Sequence, residues 1–528
     1  MATIERIIPA VIHEDGSVHY TSVTSPPDDS IAVCHVVPDR IIPVIFVPGI
    51  MGSNLQGPKN NPVWVVDSPL AMARWASKTP AHRKEHLDPA STSVFDGGEL
   101  PNGTSLSDAK KRERGWGTVA KKSYGDWLVW LQNALDDCTA ANRYGHDGLR
   151  CSLKQGSLAP GLSALTDAEV SLSYRYQMPV HAVGYNWLQS NEIASKHLAD
   201  EIDRIIGEYR KIYRCEKVIL VTHSMGGLVA RHCSEALGYR DKILGIVHGV
   251  MPATGSATAY KRVKAGWESD GTIAGEVARH VLGATAEEIT AVFAQSAGAL
   301  QLLPGADYGN GWLRISDGDQ SPTLPQYGDP YGEIYLKRRE WWGLIDDQII
   351  NPLDVAKKTV AKDWALFADL INGDVIPFHN AIAQKYHAHS YVFYGDDKTH
   401  KTWGDVMWKR LQFPTWLNNH KYNVMSARPS NDTRTGIIDV SAGNAGPIPI
   451  QKSFQIQPAM ENGDGTVPVR SGHAPAPYVK ACIGFDGVDH EGAYNPAPHP
   501  RSPQLFALWA ITKLVSNVQG VPTMEYGS

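Results

Sequence analysis

Residues 217–228 read KVILVTHSMGGL, an unalternating apolar run that ends in small and polar residues and passes at once into a helical pattern. A strand buried on both faces reads this way, and such strands belong to parallel sheets covered by helices. The surrounding chain repeats the rhythm. IIPVIFV at 41–47 is closed by Pro48-Gly49, PVHAVG spans 179–184, and KILGIVHGV spans 242–250. After 184, residues Ala194, Leu198, Ile202, Ile205, Ile206 and Tyr209 recur at helical spacing and form the stripe of an amphipathic helix. Alternating strand and helix predicts right-handed βαβ crossovers: an α/β fold with a mostly parallel central sheet and helices on both faces.

From 255 to 385 the rhythm changes to helical patches and aromatic-rich loops, with Trp267, Trp312, Trp341, Trp342 and Trp364. This stretch is expected to be an inserted, mainly helical cap, with 255–300 as its mobile part. Strand signals resume at SYVFYG, 390–395, and KACIGFDG at 480–487 reads as the last strand before a helix carrying Leu505, Phe506, Leu508, Trp509, Ile511 and Leu514. The expected organisation is an N-terminal extension at 1–37, core at 38–254, the cap at 255–385, and core again at 386–528. A long loop insertion rich in Asn, Pro, Gly and Ser is expected near 404–460.

Composition narrows the function. With 42% hydrophobic and 20% charged residues, the 528-residue chain buries a sizeable core. A net charge of −5 offers no electrostatic footprint for nucleic acid. The six cysteines form no CxxC pair, and reduced thiols are expected. The N-terminus lacks a basic start followed by an apolar stretch, so synthesis in the cytoplasm without a signal peptide is expected. His387 and His389, with His379 nearby, have no cysteine or HExxH pattern beside them and read as surface histidines.

The serine of the opening stretch carries the chemistry. In the GxSxG elbow a nucleophilic serine sits on a strained strand-to-helix turn, where small neighbours avoid collision. Here Thr222-x-Ser224-x-Gly226 replaces the first glycine with threonine. The following helix start makes the Met225 amide one oxyanion donor, and the Pro48-Gly49-Ile50 loop supplies the Ile50 amide as the second. Serine needs a base oriented by a carboxylate, and on this fold they follow in the order Ser, acid, His. Asp464, in the glycine-rich NGDGTVP, is the expected acid and His490, in GVDHEG, the expected base. Asp396 and Asp397, directly after SYVFYG, are alternative acids, and His473 and His499 are alternative bases. His223 is expected to play a structural part.

The blocks PVIFVPGIMGSNL at 43–55, VTHSMGGLVAR at 221–231, YGDD at 394–397 and NGDGTVPVRS at 462–471 together resemble the lecithin:cholesterol acyltransferase-like branch of the α/β-hydrolase lipases. That resemblance implies the aspartate of GDGTVP as the acid, favouring Asp464 over Asp396. RGWGTVAKKSYGDWLVWL at 114–131, PVHAVGYNWLQSN at 179–191 and VDHEGAYNP at 488–496 resemble, more finely, bacterial type VI secretion lipase effectors. The resemblance implies hydrolysis of phospholipid esters at a membrane surface, in the manner of a phospholipase A, with an immunity protein and a secretion apparatus as partners. It also implies export to a target cell's periplasm or membrane. Acyl transfer to an alcohol, general carboxylesterase activity and a lipid-binding pseudo-hydrolase are the competing readings. The chemistry asks for no cofactor or metal, and a calcium ion bracing the acid loop is compatible with the sequence without being written in it. The tryptophans of the cap suit either an interfacial lid over an acyl pocket or the cap's own core.

Overall fold

The computed structural model describes residues 5–526 apart from 9, 13–17, 22–29, 35–36, 137–147, 270–272, 319, 412–421, 446–447 and 500. Much of the expected 1–37 extension, Cys138 and part of the 404–460 stretch therefore lie outside the described residues.

Six strands make the central sheet: β1 (Val44–Val47), β2 (Val180–Ala182), β3 (Val218–His223), β4 (Ile243–Gly249), β5 (Ser390–Gly395) and β6 (Ala481–Phe485). Their order is β6-β5-β4-β3-β1-β2, and every pairing is parallel. The helices that position the site are α1 (Lys121–Leu135), α2 (Asn191–Arg210), α3 (Gly226–Arg231), α4 (Ala257–Ala265) and α5 (Ser502–Val515). All six residues of β3 are buried, which is why its sequence shows no alternation. Successive side chains still point to opposite faces. Ile219 and Val221 join Trp127, Leu128 and Leu131 of α1 and Phe506, Ile511 and Leu514 of α5 on one side. Val218 and Leu220 join Leu198, Ile202 and Ile205 of α2 and Leu228 of α3 on the other. Each such aliphatic side chain contributes about 1.5–3 kcal/mol by leaving water.

The cap is mainly helical, and it also lends strands to a second sheet. Helices Ile273–Leu282, Ala286–Phe293 and Val360–Leu370 are present, but strands Leu313–Ser316 and Thr323–Leu324 enter a second sheet. The 404–460 stretch, expected to be loop, supplies the other four strands of that sheet: Val406–Arg410, Arg428–Asp432, Ile437–Ala445 and Ile448–Ile456. Cap and insertion therefore share one core, holding Tyr260, Trp312, Trp341, Trp342, Trp408 and Phe454. Trp312, Trp341 and Trp342 are buried in it, so these three fill the cap's interior and do not face a lipid surface. Among the described residues no helix is long and apolar enough to cross a membrane.

One buried cation joins the core to the base of the cap. The Arg231 guanidinium, at the end of α3, donates to the carbonyls of Lys385 at 3.1 Å, Ala253 at 2.9 Å and Ile382, and stacks 4.0 Å from the Tyr386 ring. Burial lowers its affinity for the proton, while the fork still meets three carbonyls, those of Ala253 and Ile382 through buried bonds. Arg231→Met keeps the apolar stem and strands those carbonyls, so it is expected to lower the unfolding free energy by about 3 kcal/mol, measured by urea denaturation.

Candidate active site

β3 runs into α3 through Ser224, whose φ of +51° is a conformation that side chains bearing a Cβ rarely adopt. Its amide donates to the Gly249 carbonyl at 2.9 Å, which pins the turn to the end of β4. The turn is tight enough to demand glycine two residues on. A methyl on Gly226 would lie 2.5 Å from the carbonyl oxygens of both Val47 and Pro48. Threonine at 222, where the motif has glycine, fits because its hydroxyl turns away to bond His248 Nδ1 at 2.9 Å.

The loop after β1 lies against this turn. A methyl on Gly49 would meet His223 Nδ1 at 2.8 Å and Ser224 Cβ at 3.0 Å, so only glycine lets the loop approach. The loop is fastened by three aromatic side chains. Tyr185 donates to the Pro48 carbonyl at 2.9 Å, Trp64 donates to the Met51 carbonyl at 2.8 Å, and Gly49 N–H donates to the Tyr124 hydroxyl at 3.1 Å. Among the described residues, the amides of Ile50 and Met225 have no acceptor within the protein. They are thus available to a ligand oxygen.

Asp464 and His490 complete the arrangement. His490 Nε2 lies 2.9 Å from Ser224 Oγ, and its Nδ1 lies 2.8 Å from Asp464 Oδ2. The other oxygen of Asp464 accepts from the amides of Thr466 at 2.9 Å and Val467 at 2.6 Å, so the carboxylate cannot swing away. The main chains of acid and base are joined as well, His490 N–H donating to the Asp464 carbonyl at 2.9 Å. A methyl on Gly395, at the end of β5, would lie 2.7 Å from Asp464 Cβ, so the acid loop rests on the sheet where SYVFYG ends.

The structure engages the alternative acids elsewhere. Asp396 accepts from the Asn462 side chain at 2.9 Å. Asp397 is spent on its own turn, bonding Thr399 and the His400 amide; these bonds outweigh the effect of burial and hold its carboxyl well below the usual range. Neither reaches His490. His473 packs edge-on against the Tyr394 ring at 5.8 Å, and neither it nor His499 takes the place beside Ser224 that His490 holds.

His223, expected to be structural, is more closely engaged than its neighbour position suggests. Its Nδ1 lies 2.9 Å from the Tyr124 hydroxyl and its Nε2 2.8 Å from the His490 carbonyl oxygen. Burial, helped by the facing His490 ring, pushes its pKa down to about 3. Of the histidines set aside as surface residues, His387 is buried and His379 of the cap is half-buried, its ring bonding Tyr331 and the Gln301 carbonyl. Among the described residues no three His, Cys, Asp or Glu side chains gather as a metal site. Ser224 is 3% exposed, so the serine is closed off from solvent in this conformation.

The geometry of strained serine, imidazole and carboxylate at the ends of a parallel sheet meets known proteins at two levels. The family model of lecithin:cholesterol acyltransferase matches residues 153–316, which contain the elbow. Among solved structures, a chain of the Tle4-Tli4 complex is similar over 90% of this chain and 98% of its own length, at 31% identity and a TM-score of 0.75. The chain belongs to the lecithin:cholesterol acyltransferase-like lipases of the α/β-hydrolase fold. It is a lipid ester hydrolase. The resemblance to type VI secretion lipase effectors drawn from the sequence stands with the second match. A sequence search of the curated proteins finds no match.

Buried histidines, His223, His248 and His387 among them, make the fold acid-sensitive. Burial is the main cause that pushes His223 and His248 down to about 3 and His387 to about 4. The unfolded chain takes up these protons near pH 6.5, where the native one does not. Stability is therefore complete above about pH 6.5 and is lost as pH falls from there towards 3–4, at roughly 1.4 kcal/mol per pH unit for each histidine. Denaturant midpoints at pH 7 and pH 5 are expected to show the loss.

Proposed function

We propose that the protein is a phospholipase of the A type, which attacks the membranes of competing bacteria through a Ser224-His490-Asp464 triad. The observation that carries this reading is the unbroken hydrogen-bonded run from Ser224 Oγ through the His490 ring to Asp464. His490 Nε2 takes the hydroxyl proton as Ser224 Oγ forms a bond to the ester carbonyl carbon. The resulting oxyanion is held by the amides of Ile50 and Met225, the donors left without a partner. Collapse breaks the bond to the leaving alcohol, a lysophospholipid, which receives the proton from His490. Water then enters, gives a proton to His490 and attacks the acyl-serine, and collapse releases the fatty acid as Ser224 Oγ takes the proton back from His490. Asp464 keeps the ring in the tautomer with the proton on Nδ1. Each step uses side chains already in place, and no cofactor is called for.

We read the cap as a lid whose displacement admits lipid to the buried Ser224. Ile50 and Leu302 pack against both the cap core and the sheet core, so displacement of the cap also touches the oxyanion loop. Delivery by type VI secretion accounts for a membrane-attacking enzyme in which no membrane-crossing helix is found among the described residues. The similar chain occurs in a complex with Tli4, and by the same likeness this enzyme has a cognate immunity protein in the cell that makes it.

The test is mass spectrometry of products from mixed bacterial phospholipids, with an alcohol acceptor added in a parallel reaction. The wild-type protein is expected to release fatty acid and lysophospholipid, and Ser224→Ala to release neither. Acylated alcohol in place of fatty acid would identify acyl transfer instead. Release by Ser224→Ala equal to wild type would overturn the triad. Asp464→Asn leaves the shape intact but favours the wrong imidazole tautomer, and is expected to lower kcat by about 10⁴.

A further inference from the structure

The triad leaves one buried chain of hydrogen bonds unused. It runs from the Gly49 amide to the Tyr124 hydroxyl at 3.1 Å, on to His223 Nδ1 at 2.9 Å, and from His223 Nε2 to the His490 carbonyl at 2.8 Å. Its two ends fix every proton in it. An amide can only donate and a carbonyl can only accept. His223 must therefore carry its proton on Nε2, its Nδ1 must accept from the Tyr124 O–H, and the Tyr124 oxygen must accept from Gly49. Both intermediate side chains are buried, His223 at 5% and Tyr124 at 3% exposed, so water does not compete for these bonds. The His223 ring is also walled by aromatic rings, edge-on to Tyr124 at 5.5 Å and to Tyr494 at 5.9 Å, and tilted 5.1 Å from His490 itself.

The placement is unusual for a structural histidine. One end of the chain holds the residue before Ile50, an amide proposed to receive the oxyanion. The other end holds the main chain of the residue whose side chain faces Ser224. Tyr124 stands in the first turn of α1, within the SYGDW of the 114–131 stretch to which the triad assigns no part. A protonated His223 would offer hydrogen at both nitrogens and leave the buried Tyr124 O–H without its acceptor, so the pair works only as a neutral, one-way relay.

We propose that Tyr124 and His223 are a positioning pair that sets the His490 main chain, and through it the imidazole, in register with the oxyanion loop. This rests on the Ser224-His490-Asp464 reading. Neither residue touches the reacting atoms; both act through where they hold the base and the loop. The pair locks the two halves of the machinery to each other, since a shift of the Gly49 loop moves Tyr124, and Tyr124 moves the ring that holds His490.

The experiment compares wild type with Tyr124→Phe, His223→Leu, His223→Gln and the Tyr124→Phe/His223→Leu double variant. It measures kcat and KM on a soluble short-chain ester, the rate of Ser224 labelling by a fluorophosphonate, and the far-downfield proton resonance of the His490 Nδ1–H shared with Asp464. Tyr124→Phe is expected to lower kcat about tenfold and His223→Leu about 100-fold, with KM within about twofold, labelling falling by the same factors and the downfield proton broadened. His223→Gln carries an acceptor and a donor like those of the imidazole and is expected to recover most of the loss. The double variant is expected to be no slower than His223→Leu, because the two residues act as one unit. Two outcomes would overturn the proposal: Tyr124→Phe and His223→Gln both folded with wild-type kcat, labelling rate and downfield proton, or a rise in KM at constant kcat. If the wild-type protein itself is not labelled at Ser224, the triad reading falls and takes this one with it. If wild type and variants label equally, only the positioning proposal falls.

Discussion

The backbone of Ser224 is the constraint on which the site depends. A positive φ at a residue with a Cβ costs on the order of 1–3 kcal/mol, and it persists only where the surroundings leave no relaxed alternative. Here they do not. The Ser224 amide is held by Gly249 of the neighbouring strand, and Gly226 closes to within contact of the Val47 and Pro48 carbonyls. The strain is therefore supported by three strands of the parallel sheet at once. Its effect is to lift the hydroxyl off the sheet towards His490 while aiming the first amide of the helix at the same point.

Much of this was legible before any coordinates. Strands β1 to β4 announced themselves as unalternating apolar runs, because a parallel sheet covered on both faces leaves no polar side to write into the sequence. Ser224, Asp464 and His490 could be chosen because each stands in a glycine-marked loop in the chain order this fold uses. The second sheet was missed for a physical reason. One edge strand, RPSND at 428–432, is mostly exposed and carries a proline and three polar turn formers, so it reads as loop. A signal was present in IPIQKSFQI at 448–456, where Ile450, Phe454 and Ile456 alternate with exposed Gln451 and Gln455. Lys452 on the buried side, with its ammonium 4.9 Å from the Tyr422 ring, broke the pattern. The Tyr124–His223 contact carries no local signature, because its partners lie 99 residues apart and neither belongs to a spacing rule.

The cap and the acid loop are not independent bodies. Ser256, which precedes α4, donates to the Thr466 carbonyl at 2.6 Å, and Arg262 of α4 donates to the Thr466 hydroxyl at 3.1 Å. Arg262 is itself anchored to Glu268, whose carboxyl the buried Arg262 and Lys261 cations pull down to about 2 against the effect of burial. Thr466 also donates its amide to Asp464. The root of the cap thus holds the loop that orients the base, which explains why an insertion so far from β3 in sequence can share a boundary with the chemistry without loosening it.

The closed serine has a thermodynamic consequence. With the cap acting as the proposed lid, a molecule whose nucleophile is 3% exposed offers substrate only its minority of unlatched conformers, and the observed affinity is the intrinsic one diluted by that minority. Any surface that favours the unlatched form by a few kcal/mol repays the dilution, so under the proposed function a bilayer would act as an activator as well as the source of substrate.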